Sequence, residues 1–279
     1  MKRFVVLLSF LVPAMLPAQR LHLNLFGGFS NYLGDLQEKS VTLEQSRRAF
    51  GAGLSYDINH HLALRGGIAW GKIGADDKLN SATDLQLRNL SFQSSVKEAH
   101  LLAEYSFFDL RYHKFTPYVF GGLALFHFNP FTYDTSGSKI MLQPLGTEGQ
   151  GLSAYPDRKT YKLTQFALPV GAGIRMRLYD NITVSYELGL RRTFTDYLDD
   201  DSSTYVDQGS LAAANGATAV QMAYRGGELK NGNTYPAEGA IRGNPKLKDW
   251  YYMHGITIGI GLNLGKKRGA RTDCPVDVK

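Results

Sequence analysis

Eight stretches of this chain alternate apolar residues with polar ones or glycine, and the connectors between them are alternately short and long. A strand sends successive side chains to opposite faces, so each stretch carries one greasy face and one small or polar face. Within a bilayer every backbone group must find a partner in the protein, so strands cross only as a closed barrel. Short turns at one end and long loops at the other are the pattern of barrels in an outer membrane. The predicted fold is therefore all-β: an eight-stranded antiparallel up-and-down transmembrane β-barrel with long extracellular loops.

Two stretches carry the pattern most clearly. Across 250–264 the even positions read Trp250, Tyr252, His254, Ile256, Ile258, Ile260, Leu262 and Leu264, while the odd ones include Gly255, Thr257, Gly259 and Gly261. Across 166–178 one side holds Phe166, Leu168, Val170, Ala172, Ile174, Met176 and Leu178, opposite Gly171, Gly173, Arg175 and Arg177. Alternation by itself also fits a soluble sandwich, so address and connector lengths decide. Strands are expected at 20–31, 47–58, 62–72, 93–107, 116–128, 162–178, 182–194 and 250–264. The connectors 59–61, 108–115 and 179–181 are short and assigned to the periplasm. Those at 32–46, 73–92, 129–161 and 195–249 are long and assigned to the cell exterior.

The address comes from the first residues. Lys2 and Arg3 precede the apolar run 4–12, and Leu16-Pro17-Ala18 offers a small residue before a cut at Gln19. This reads as a secretory signal peptide over 1–18, followed by a barrel over 19–264 and a basic periplasmic tail over 265–279. The single cysteine, Cys274, is far from the cut, which argues against a lipid anchor there and against an internal disulfide framework. No later run reaches the roughly 18 apolar residues of a spanning helix. The formal charge of +6 is mild, and no long basic run or RNA-binding motif appears, so nucleic acid is not an expected partner. Glycine, 30 of 279 residues, exceeds its usual share of about 7%, as strands bent around a narrow barrel require.

In this register Asp57, Arg65, Glu98, Glu104, Arg175, Arg177, Glu187 and Arg191 point into the barrel. Eight strands enclose a space just wide enough for side chains to fill, and buried charges must be paired. A salt-bridged polar plug is expected in preference to a conducting pore.

The sequence holds no zincin helix, nucleophile elbow or phosphate loop, and no paired cysteines for zinc, so no catalysis, cofactor or metal is expected. His60 and His61 fall in a tight turn and read as solvated. The acidic stretch Asp196, Asp199, Asp200, Asp201 and Asp207 lacks the spacing and glycine of a calcium loop, and it too reads as solvated.

Four blocks resemble the PorG-like outer-membrane proteins of Bacteroidetes: Phe26-Gly-Gly-Phe-Ser-Asn-Tyr-Leu-Gly-Asp-Leu36, Pro117-Tyr-Val-Phe-Gly-Gly-Leu-Ala-Leu-Phe-His-Phe-Asn-Pro130, Leu142-Gln-Pro-Leu-Gly-Thr-Glu-Gly-Gln-Gly151 and Arg191-Arg-Thr-Phe-Thr-Asp-Tyr-Leu-Asp-Asp200. Thr204-Tyr-Val206 follows the last. The blocks span most of the mature chain in the family's order. The resemblance implies a non-enzymatic outer-membrane component of the type IX protein secretion system, associated with its periplasmic PorK–PorN ring. A stand-alone surface barrel, acting as adhesin, lipid-modifying enzyme or solute-binding protein, is the alternative.

Besides outer-membrane lipid, the expected partners are therefore periplasmic ring subunits, which can touch only the turns and the tail. Arg111, Tyr112, His113 and Lys114 in the longest turn suit an acidic or aromatic rim, Arg and Tyr being enriched at interface hot spots. In the tail, Lys266, Lys267, Arg268 and Arg271 add charge, and unpaired Cys274 is a candidate for an intermolecular disulfide. On the outside, Pro144 to Gly151 is expected to form a folded loop packed over the barrel mouth with Phe131 and Tyr133, with Phe194, Tyr197 and Asp199 to Asp201 as a clamp against it.

Overall fold

A computed structural model describes residues 20–37, 45–230 and 232–262. In chain order its strands are β1 (Leu21–Leu33), β2 (Arg47–Asp57), β3 (Leu62–Asp76), β4 (Ser91–Ser106), β5 (Phe115–His127), β6 (Pro130–Tyr133), β7 (Lys139–Met141), β8 (Thr164–Tyr179), β9 (Ile182–Thr193) and β10 (Trp250–Gly261). Three short helices, α1 (Thr83–Arg88), α2 (Gln208–Asn215) and α3 (Ala217–Ala223), all lie in the long loops.

Eight strands run in the order β3-β2-β1-β10-β9-β8-β5-β4, and pairing of β3 with β4 closes the ring. Every pair is antiparallel. The eight predicted strands are all present. The largest departure is β3, which runs on to Asp76 and pairs Ile73 to Asp76 with the start of β4. Alternation stops at Ile73, Gly74 and Ala75, all three buried, because the loops cover both faces there. The β6–β7 hairpin, unforeseen in the sequence, continues this taller wall by pairing Phe131 with Gln93 and Pro130 with Ser94.

The outward positions are apolar and uncovered: Leu25, Leu54, Ile68, Leu101, Leu123, Val170, Leu188 and Ile256 are all exposed. Aromatic residues flank this belt at both ends. Phe29, Phe50, Trp70 and Phe166 stand near the long loops, and Tyr105, Phe107, Phe115 and Tyr179 near the short turns. A soluble monomer rarely exposes a continuous apolar patch beyond a few hundred Å². A band encircling a closed barrel, with aromatic girdles, is a lipid-facing surface.

Inward positions are small where the wall bends. Gly28 opposes Gly255 on the β1–β10 seam. A Cβ on Gly255 would lie 2.4 Å from the Gly27 carbonyl oxygen and 2.5 Å from the Gly28 Cα. The seam closes only because neither residue has a side chain. Gly53 and Gly67 make the same inward pair between β2 and β3.

Candidate functional site

The barrel interior is built from charged residues reaching across from facing walls. On β3, Arg65 Nη1 donates to Glu187 Oε2 on β9 at 2.7 Å, a link across the full diameter, and lies 3.8 Å from Glu104. Arg175 Nη1 donates to Glu104 Oε1 at 2.6 Å, and Arg191 Nε donates to Glu98 Oε2 at 3.1 Å. The hydroxyls of Tyr118 and Tyr251 donate to Glu187 and Glu98 at 2.8 and 2.7 Å. Rings complete the packing, with the Arg65 guanidinium 4.9 Å from the Phe120 centroid and that of Arg175 4.5 Å from Tyr118. The void left beside Asn24, Phe26, Arg65, His100 and Arg191 is about 40 Å³, water-sized rather than a solute path.

The expected salt-bridged plug is therefore present. Asp57 is paired with His22 at 2.9 Å. Arg177, half-buried near the short-turn end of β8, was expected inside as well and has no carboxylate within 4.0 Å among the described residues.

Above the plug, three long loops are tied into a cap by a chain of ion pairs. Arg88, ending α1, donates through Nε to Asp77 at 2.7 Å and through Nη1 to Asp201 at 2.6 Å. Arg242 Nη1 then donates to Asp201 at 3.3 Å, to Glu148 Oε1 at 2.9 Å and to the Asp200 carbonyl at 2.6 Å. Glu148 also accepts from the backbone N–H groups of Ser202 and Ser203 at 2.8 and 3.0 Å. Asp200, held at φ 69°, accepts from the hydroxyls of Thr147 and Tyr161 at 2.5 and 2.6 Å. The Tyr32 hydroxyl, at the top of β1, donates to Asp199 at 2.5 Å, with Asp249 3.2 Å away.

The electrostatics follow from burial. Loss of water pushes the Asp200 carboxyl up to about 6 and that of Asp201 up to about 7, against the opposing pull of Arg242. Burial, reinforced for Asp199 by the neighbouring Asp249, raises Asp199 and Asp249 well above the ordinary carboxylate range. Glu148 is buried too, yet Arg242 and the bonds from Ser202 and Ser203 outweigh desolvation and lower it.

This corrects the reading of the acidic stretch as solvated. Asp199, Asp200 and Asp201 are at most 2% exposed, because Arg88 and Arg242, remote in sequence, come to meet them. Asp207 alone behaves as expected, exposed and capping α2 through the Ser210 N–H. Among the described residues no group of carboxylates, histidines or cysteines has metal-ligand geometry.

The expected clamp between the 129–161 and 195–249 loops also forms, through Tyr197 and Asp200 but without Phe194. Tyr197 stacks on Tyr161 at 4.7 Å, and its hydroxyl donates to Glu148 at 3.1 Å. Phe194 instead points outward and is 57% exposed. Phe131 and Tyr133 belong to the β6–β7 wall and not to the mouth, which Phe126, Phe128 and Tyr251 fill. A second apolar core of Leu152, Val206, Leu211, Ala219 and Ala223 gives the cap its own interior.

At the opposite end, Arg111, Tyr112, His113 and Lys114 are all exposed. Arg111 is engaged by Asp109 at 2.7 Å and lies over the Tyr112 ring at 5.5 Å. Its hydrogen bonds hold Asp109 down at about 2. Tyr112, His113 and Lys114 are thus the members of the turn most open to a partner. His60 and His61 are exposed as expected, His61 stacking on Tyr105. Lys266, Lys267, Arg268, Arg271 and Cys274, like residues 1–18 where a signal peptide was expected, lie outside the described residues.

A closed eight-stranded barrel with a plugged interior, a capped mouth and a lipid-facing belt defines a small outer-membrane barrel protein. The family described as Domain of unknown function (DUF6089) matches residues 1–144, and the chain belongs to that family. No curated protein matches the sequence.

Among solved structures, Neisserial surface protein A is similar at 9% identity and TM-score 0.43, over 86% of this chain and 96% of that one. OprG from Pseudomonas aeruginosa is similar at 10% identity and TM-score 0.41, over 87% and 97%. Ail, the attachment invasion locus protein of Yersinia pestis, solved with the heparin analogue sucrose octasulfate, is similar at 11% identity and TM-score 0.39, over 86% and 98%. Such likenesses concern barrel architecture and nothing finer.

Proposed function

We propose that this protein is a PorG-like outer-membrane component of a type IX secretion system, a non-enzymatic and non-conducting barrel that anchors the periplasmic PorK–PorN-type ring. The observation that carries the reading is where the resembling blocks meet. Glu148 of the 142–151 block binds Ser202 and Ser203, Tyr197 and Arg242, while Thr147 binds Asp200. Arg158 links the Glu148 carbonyl to Thr204 at 2.7 and 2.8 Å. Segments that resemble the family separately thus build one cap, a reason for them to be kept together. The plugged lumen supports a scaffold role over transport.

Only the periplasmic turns and the tail can reach a ring. Tyr112, His113 and Lys114, with the basic tail residues and Cys274, are the proposed docking elements. The test is affinity capture of the full chain from solubilised envelopes, compared with a Tyr112→Ala/Lys114→Gln variant and a chain ending at Gly265. Ring subunits should co-purify with the full chain and be lost with the tail. Recovery of the barrel alone, with secretion intact in a deletion strain, would leave a stand-alone surface barrel as the better account. Non-reducing gels of Cys274→Ser against the unaltered chain report any disulfide to the ring.

A further inference from the structure

The lipid-facing wall changes character over one sector near the long loops. Arg48 on β2, Lys72 on β3 and Lys97 on β4 all sit at exposed outward positions. The register makes them neighbours. Phe50 opposes Trp70 and Ala49 opposes Gly71, so Arg48 stands across from Lys72. Lys72 opposes Ser95 and Trp70 opposes Lys97, which puts the two lysines on a diagonal. Cross-strand neighbours of this kind lie about 5–8 Å apart, and like charges so placed repel.

Nothing among the described residues neutralises them: none of Arg47, Arg48, Lys72 and Lys97 has a carboxylate within 4.0 Å. Exposed rings border them: Phe29 stands across from Arg48 and Trp70 across from Lys97, with Phe50 paired to Trp70 two positions along β2 from Arg48. Cations and rings together line one outer groove of about 640 Å³.

A row of unpaired cations bordered by aromatic rings, on the wall of a membrane barrel where the apolar belt begins, is complementary to one kind of ligand: an amphiphile with a phosphate head and acyl chains. We infer that this sector binds a phosphate-bearing lipid of the outer leaflet, with Lys72, Lys97 and Arg48 holding the phosphate and Trp70 and Phe50 packing on the chains. Charge-assisted bonds to phosphate are stronger than neutral ones, and they gain where the membrane interface lowers the dielectric. The bound anion also relieves the repulsion between the three cations. The inference concerns the barrel wall alone and holds whichever periplasmic partner the protein has.

The full chain is reconstituted in phosphatidylcholine bicelles and titrated with bis-phosphorylated lipid A or with the same lipid after dephosphorylation. Trp70 fluorescence in a Trp250→Phe background reports binding. The phosphorylated form is expected to bind at least about tenfold tighter. Lys72→Gln/Lys97→Gln should abolish that preference, and Lys162→Gln, a cation outside the groove, should keep it. Each variant is used only if it shows the compact, heat-modifiable migration of a folded barrel, and Arg48→Gln serves if the double variant does not fold. Equal binding of the two lipids, an unchanged preference in the folded groove variant, or displacement by millimolar inorganic phosphate would each overturn the assignment, the last by showing a site for free phosphate.

Discussion

Replacing Arg242 by methionine keeps the volume of the side chain and removes its charge. Arg242 serves Glu148, Asp201 and the Asp200 carbonyl at once, in a site 5% exposed. Breaking a buried ion pair by deleting one partner costs about 3–5 kcal/mol, since the remaining charge has neither partner nor water. Part of this is recovered at neutral pH, because Asp201, already raised to about 7, takes up a proton. The lower end, about 3 kcal/mol, is therefore expected, and at about 1.4 kcal/mol per decade this is roughly a hundredfold.

Amide exchange by mass spectrometry in detergent is the suitable assay, since it reads local opening. Peptides covering 142–152 and 197–206 should exchange about a hundredfold faster in Arg242→Met, while peptides from β5 and β8 stay protected. The difference should shrink at pH 5, where Asp200 and Asp201 are protonated in either protein. Cap exchange within about threefold of the unaltered protein at pH 7 would refute the view that this guanidinium holds the loops together.

Three further outcomes are expected. Asp200 and Asp201 release their protons near 6 and 7 in the folded cap, against about 3.9 unfolded; the folded state then binds more protons, so their contribution is complete below pH 4 and fades through pH 6–7. Urea midpoints of the near-UV tyrosine signal should be lower at pH 8 than at pH 5, and a rise would contradict the burial of these groups. Gly255→Val places a side chain against the β1 backbone and should abolish the compact band on unboiled gels, whereas Gly27→Val, whose Cβ meets nothing within 4 Å, should fold. In planar bilayers the purified protein should show no sustained conductance, and stable channels would falsify the Arg65–Glu187 and Arg191–Glu98 plug.

The barrel was legible because alternation is a local signal. Phe166 to Leu178 and the β10 positions declare their two faces from neighbours in the sequence, and the inward charges follow from the same register. The cap was not legible in the same way. Asp199 to Asp201 look like a solvated run because the segment around them, 193–207, holds no lysine or arginine, and the guanidiniums that bury them lie more than forty positions away on either side. Arg88 and Arg242 gave no signal of their own, since an isolated arginine in a loop reads the same whether it is wet or buried. The end of β3 was missed for a related reason: Ile73 to Ala75 are covered on both faces, and a strand without a wet face has no alternation to read.

The position of Arg242 in the chain has a bearing on how the protein is made. It precedes β10 by only a few residues and shares the last long loop with Asp201, while Glu148 belongs to the loop that precedes β8. The Glu148–Arg242 link therefore cannot form until the loop before β10 stands on the same side of the membrane as the loop before β8. Fastening of the lid in this sense registers that its two longest loops have crossed to one side.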